Sequence, residues 1–202
     1  GPPDVTTTYL NDAGFNPDPD PSPSINPRDV TDAKGHAFSA CLYDVVFGAA
    51  DDDTGVASDT IKVLVTGNAT VRLSAGYWQN IFRIPKSTPF TDAQITCYLK
   101  IAGFVSLVFN ETTDASTIAK AYAVLKVGAA ATEKEQFDRQ LLAALINFAN
   151  GEPDWDELID TNGDTVGDTP FLSVIANAEL VRNNPASTKA QRPSRKRRHR
   201  RR

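Results

Sequence analysis

Thr132-Glu-Lys-Glu-Gln-Phe-Asp-Arg-Gln-Leu-Leu-Ala-Ala-Leu-Ile-Asn-Phe-Ala-Asn-Gly151 is the stretch that decides the fold. Phe137, Leu141, Leu142, Leu145, Ile146 and Phe148 recur at helical spacing and make one broad apolar face. Thr132 and Glu135 have the capping-box spacing that starts a helix, and Asn150-Gly151 has the composition that ends one. A helix of this kind needs partners for its apolar face, and the flanking sequence supplies three. Thr91 and Gln94 repeat the capping box, with Phe90 placed to staple onto Ile95, which predicts a helix running to about Phe109. Ser116 to Val127 reads as another. A last one is predicted with Thr169 as its cap and Pro170 at its first position, stopping before Pro185. Residues 74–188 therefore read as a small four-helix unit.

Upstream the period changes from helical to two. Tyr43, Val45, Phe47 and Ala49 fall on one side of an extended run, Asp51-Asp-Asp-Thr-Gly55 turns the chain, and Ile61, Val63 and Val65 alternate on the return. Two such runs joined by a polar, Gly-containing turn predict a β-hairpin within a β region at 36–73. Residues 1–35 carry Pro17, Pro19, Pro21, Pro23 and Pro27 among Asp, Ser and Asn, the composition of an extended linker or arm. The fold class expected is α+β: a β-hairpin region followed by four helices, with disordered ends.

The chain has 202 residues, 41% of them hydrophobic, enough to bury a substantial core. Its net charge of −4 conceals an asymmetry, because nine of the 21 Lys and Arg residues lie in residues 189–202. That leaves 12 cations against 25 acids in residues 1–188, a net charge of −13. A run of like charges such as Arg195, Lys196, Arg197, Arg198, Arg200, Arg201 and Arg202 reads as a disordered interaction tail, suited to a polyanion. No aromatic residue interleaves with these arginines, so stacking on nucleic-acid bases has no support. Cys41 and Cys97 have no metal-ligand spacing and leave two readings open, one disulfide or two buried thiols. No window approaches the roughly 20 apolar residues of a membrane span.

Asp160-Thr-Asn-Gly-Asp-Thr-Val-Gly-Asp168 places oxygen donors at alternate positions around two glycines. Ca²⁺ takes about six to eight hard oxygens, and calcium loops supply them from positions 1, 3, 5, 7 and 9. Those positions are Asp160, Asn162, Asp164, the Val166 carbonyl and Asp168. The EF-hand pattern is broken: Thr165 stands where its glycine would be, and Phe171 where its bidentate Glu would be. The spacing points to a shorter calcium loop, with Asp154, Asp156 or Glu157 placed to complete the shell. The plain alternative is a solvated turn before a helix, since Asp, Asn and Gly dominate turns and caps for their own reasons.

Two resemblances extend this reading. Tyr43, Val45, Phe47, Ala49, Asp51, Asp52, Asp53, Gly55, Ser58, Asp59, Thr60, Val63 and Val65 resemble the closing hairpin of a polycystic-kidney-disease (PKD) type immunoglobulin-like domain. Residues 74–188 resemble a helical module of secreted and surface-anchored bacterial and archaeal proteins. That module is marked by Gly76-Tyr77-Trp78-Gln79, by the helix end Leu141 to Gly151, by the loop Asp160 to Thr169, and by Asn184-Pro-Ala-Ser-Thr188. Gln79 replaces the module's usual Lys, and Thr165 its usual Gly. The resemblance implies an extracellular or cell-surface protein, calcium as its cofactor, and other protein subunits or surface polymers as partners, a homo-oligomer among them. Asn68-Ala-Thr70 and Asn110-Glu-Thr112 have the glycosylation pattern that suits an exterior location.

Catalytic constellations are sparse. His36 and His199 are the only histidines, one beside the first predicted strand and one within the basic tail. No phosphate-cradling Gly-rich loop is present, and the acids of 152–168 are spaced for a cation more than for paired acid–base work. Tyr77 and Trp78 read as core anchors before they read as a ligand platform. The sequence thus predicts a non-enzymatic structural or adhesive module stabilised by calcium. The alternative is nucleic-acid or polyanion binding through the Arg-rich tail.

Overall fold

The structure is a computed structural model that describes residues 39–50, 56–83, 89–110, 115–154 and 156–184, the side chains of 45–50 excepted. The arm at 1–35, the turn at 51–55, both histidines and the basic tail lie outside the described residues. The class is α+β. Strands β1 (Cys41–Ala50) and β2 (Val56–Val65) precede helices α1 (Ala75–Ile81), α2 (Asp92–Val105), α3 (Ile118–Leu125) and α4 (Glu133–Asn150). Two-residue strands β3 (Leu158–Ile159) and β4 (Thr169–Pro170) and helix α5 (Phe171–Asn183) follow.

α4 is the central helix, in contact with α1, α2, α3 and α5. Both capping boxes form: Thr91 and Gln94 exchange hydrogen bonds at the start of α2, and Thr132 and Glu135 do the same at the start of α4. Gly151 ends α4 in the left-handed conformation, φ 107°. The apolar face that starts at Leu141 is buried through Phe148, with Phe137 partly buried above it.

One helix more is present than the sequence pattern predicts. Ser74 caps α1 through its hydroxyl, which accepts the Tyr77 amide N–H at 3.1 Å. Seven residues are too few to display a helical period, so α1 stays hidden in the sequence. It delivers Trp78, 0% exposed, into a cluster with Phe82, Phe90 and Tyr98 at centroid separations of 5.4–6.4 Å. Tyr77 is not a core anchor: it is 41% exposed. Adjacent residues on a helix point about 100° apart, and α1, packed against α3 and α4, turns Trp78 inward and leaves Tyr77 at the edge of that contact.

The start of α5 also departs from expectation. Pro170 takes the cap position and no side chain caps the helix. Thr169 instead pairs with Ile159 in the β3–β4 ladder and donates its hydroxyl to Asp168.

β1 and β2 pair antiparallel with Cys41 opposite Val65, Tyr43 opposite Val63 and Val45 opposite Ile61. Among the described side chains, only the base of the hairpin is packed. Cys41 and Val65 are buried, whereas Ile61 is 44% and Val56 79% exposed. Of the two readings of the cysteines, the disulfide is the one formed: Cys41 is bonded to Cys97 on α2, with Cα atoms 4.6 Å apart. Closing 56 residues of chain separation stabilises the fold by about 4 kcal/mol in the chain-entropy treatment. That exceeds the roughly 1.5–3 kcal/mol of one well-buried apolar side chain. The covalent tie is therefore worth more to the fold than any one apolar side chain at the hairpin base.

After β2 the chain crosses the end of α4. Gly67 N donates to Ala149 O and Ala69 N to Asn150 O, both at 2.9 Å. The two backbones approach so closely that a Cβ on Gly67 would stand 2.2 Å from the Asn150 carbonyl oxygen, and one on Gly151 2.4 Å from Gly67. Farther on, Asn147 fixes the lead into α1. Its Oδ1 accepts from Leu73 N and Trp78 Nε1, both at 2.9 Å, and its Nδ2 donates to Leu73 O at 2.8 Å.

Candidate functional site

The acidic loop is held at its neck by β3 and β4. Ile159 faces Thr169, and Asp168 N donates to Ile159 O at 3.2 Å, so the loop's two ends, Asp160 and Asp168, are brought side by side. Asp160 turns inward. Its Oδ1 accepts from Gly163 N at 2.6 Å and its Oδ2 from Thr165 N at 2.9 Å. Asn162 Oδ1 accepts from Asp164 N at 2.9 Å, and Asp164 Oδ1 from Val166 N at 2.8 Å. Each oxygen side chain at positions 1, 3 and 5 thus bonds an amide two to five residues ahead, which coils the backbone around those side chains.

The coil requires two left-handed residues. Gly163, φ 86°, takes this conformation without cost, but the second is Thr165, φ 76°, a β-branched residue at a position suited to glycine. Asp168 closes the loop: its Oδ1 accepts the hydroxyls of Thr169 at 2.6 Å and Thr161 at 2.7 Å. These two donors hold the Asp168 carboxyl below the usual carboxylate range. Val166 is exposed at the tip.

All five predicted ligand residues therefore sit in one exposed loop. The side chains do not meet at a common point, and among the described residues no three His, Cys, Asp or Glu side chains come together as a metal-binding group. The Asp160 and Asp164 carboxylates face the loop's own amides instead, and Asp168 faces the Thr161 and Thr169 hydroxyls. In kind, the donor set fits a hard cation: it is oxygen only and exposed, and Asn162 Oδ1 and Asp164 Oδ1 each accept one hydrogen bond and keep a second lone pair, whereas Asp168 Oδ1 already accepts two.

Of the flanking acids, Glu157 is committed elsewhere. With Glu152 it holds Arg72, whose Nε lies 3.0 Å from Glu152 Oε1 and whose Nη2 bonds Glu157 Oε1. Asp154 and Asp156 are exposed. The Arg72 clamp gives no local sequence signal because its partners lie far along the chain. Glu179 on α5, a buried carboxylate that accepts from Leu107 N at 3.0 Å, does have a sequence signal: it follows Phe171 and Ile175 at intervals of four, on the buried stripe of that helix.

Compared with protein-family models, with curated proteins and with solved structures, the chain matches none significantly. Its function is therefore argued from its own residues.

Proposed function

We propose that this chain is a non-enzymatic extracellular module, structural or adhesive, whose acidic loop takes up calcium to fix the start of α5. The observation that carries the reading is the Cys41–Cys97 disulfide, which joins the hairpin and the helical unit into one covalent body. Such cross-links form and persist in oxidising compartments, outside the cell above all. The loop adds the second element. A cation bound by Asp160, Asn162, Asp164, the Val166 carbonyl and Asp168 would draw the coil tight between β3 and β4, and folding would become linked to calcium concentration. The resemblances to a PKD-type hairpin and to a surface-protein helical module point the same way, toward assembly with other subunits or surface polymers. Among the described residues no helix is long and apolar enough to cross a membrane.

Calorimetric titration of EGTA-treated protein with Ca²⁺, with thermal melts run alongside, tests the proposal. Saturable binding with a raised melting temperature is expected. Asp164→Ala should lower the melting temperature more in calcium than in chelator, where it loses only the exposed bond to Val166 N; equal losses in both would sink the idea. A second reading, polyanion binding, is favoured by the nine cations within residues 189–202. It requires that deleting residues 192–202 abolish binding and its steep salt dependence.

A further inference from the structure

Arg139 stands on α4 with acids one and four residues before it, and neither neutralises it. The Glu135 carboxylate is turned back to the helix start, where Oε2 accepts from Thr132 N at 2.7 Å and Thr132 Oγ1 at 2.8 Å. Asp138 is held by Arg182 through two hydrogen bonds of 2.9 Å. Among the described residues the Arg139 guanidinium makes one long contact, Nη2 to Gln79 Oε1 at 3.4 Å, and its buried Nε has no hydrogen-bond partner. A guanidinium has five N–H donors, and the Nη2 end, with that one long contact, stands 3.7 Å from where a Cβ on Gly76 would be.

This side chain lines a groove of about 370 Å³ between the start of α1 and the middle of α4. The walls are small residues, Ala75, Gly76, Ala143 and Ala144, and Arg139 is the only charged side chain among them. Ser74 Oγ is engaged with Tyr77 N, and Asn147 with Leu73 and Trp78, while the exposed amide of Gln140 is the other polar side chain of the lining.

We infer that this groove docks a short extended peptide of a partner protein, through one Asp or Glu carboxylate placed on Arg139. A guanidinium fork matches a carboxylate in shape and charge. Nε is shut off from solvent, so the contact falls on the terminal nitrogens. The small walls leave room for a peptide backbone with small side chains on either side of the acid. A volume near the low end of ligand pockets, about 300–1,000 Å³, suits a few residues. A lone cation suits one carboxylate better than a phosphate, and the net charge of −13 over residues 1–188 opposes a run of acids. The inference stands apart from the acidic loop and from calcium.

The full chain, ¹⁵N-labelled, would be titrated with the peptide acetyl-Ala-Ala-Glu-Ala-Ala-amide and followed by NMR. Saturable shifts are expected at the amides of Gly76 and Ala143 and at Arg139 Nε. Arg139→Gln should weaken binding by about tenfold or more, with Arg139→Lys retaining part of it. The same peptide with Gln in place of Glu should bind about tenfold more weakly. Gly76→Gln gives an independent block, since a Cβ there meets nothing closer than 3.7 Å and the fold should tolerate it. Binding unaffected by Arg139→Gln, equal binding of the Gln peptide, or no response at Gly76 would each overturn the inference. A response seen only after residues 1–35 are deleted would assign the groove to the chain's own acidic arm, and the partner peptide would be wrong.

Discussion

The Glu179 carboxylate on α5 accepts the Leu107 amide N–H at 3.0 Å although Glu179 is only 1% exposed. Its other oxygen bonds the Ser106 hydroxyl and lies 3.4 Å from Val108 N. Ser106 Oγ in turn accepts from Val108 N at 3.1 Å and Phe109 N at 2.9 Å. One buried carboxylate thus organises the amides just beyond the end of α2 and latches the last helix to them.

Replacing that carboxylate should be costly. Glu179→Ala leaves the Ser106 hydroxyl and the Leu107 amide without their acceptor, a loss of roughly 2–4 kcal/mol. Glu179→Gln keeps one acceptor oxygen and should lose clearly less. Urea unfolding of the two variants measures the difference; equal losses would mean that the negative charge, and not the acceptor geometry, holds the latch.

Opening the disulfide should act unevenly. Reduction, or the double change Cys41→Ala with Cys97→Ala, is expected to lower stability by about 4 kcal/mol. Amide exchange should rise first along β2, whose outer residues are exposed, and later in the buried turn Leu141–Ala149 of α4. Uniform loss of protection in both would show that the hairpin is integral to the helical core.

Thr165 stands in a backbone conformation suited to glycine, φ 76°. Thr165→Gly should relieve that strain and raise the melting temperature, a gain of about 1 kcal/mol before the greater freedom of glycine in the unfolded chain is subtracted. A calcium-binding loop should also gain affinity from the change. A lower melting temperature in both calcium and chelator would show that the threonine side chain makes a stabilising contact of its own.

The acid side of the stability profile should report Asp168. Donation from the Thr169 and Thr161 hydroxyls favours its charged form, so its folded value lies below the 3.8 of an ordinary aspartate. The stability it contributes is complete above that ordinary value and is lost as pH falls through the lower folded one. Carbon-detected titration should show the depressed value, and Thr169→Val should move it back up. No movement on that substitution would dissociate the shift from the hydroxyl contacts.

What the sequence discloses is what is encoded locally. The capping boxes of α2 and α4 and the left-handed glycine after α4 each lie within a few residues of chain, and each is present in the structure; the paired hairpin is present too, although burial along β2 grades from its exposed outer end to Val65 and does not alternate. Thr169 misled because a capping residue followed by proline also suits a strand end, and the Ile159 pairing won. The disulfide depended on whether the hairpin base meets α2, a tertiary fact that no Cys spacing records. The alternation of the loop residues is legible in the sequence, yet the direction of the carboxylates, Asp160 and Asp164 toward amides and Asp168 toward two hydroxyls, depends on a backbone coil that composition does not specify. Arg139 was silent for a related reason: its neighbours in sequence promise ion pairs, and only the structure shows those acids engaged elsewhere.

The crossing of Gly67 over Gly151 binds two distant positions into one character. Neither can acquire a side chain without displacing the other strand of backbone, so drift at either site is barred unless the whole path between hairpin and helix shifts with it. Surface residues around them are free to diverge. In a relative too remote for its sequence to align, these two glycines should be among what descent leaves behind.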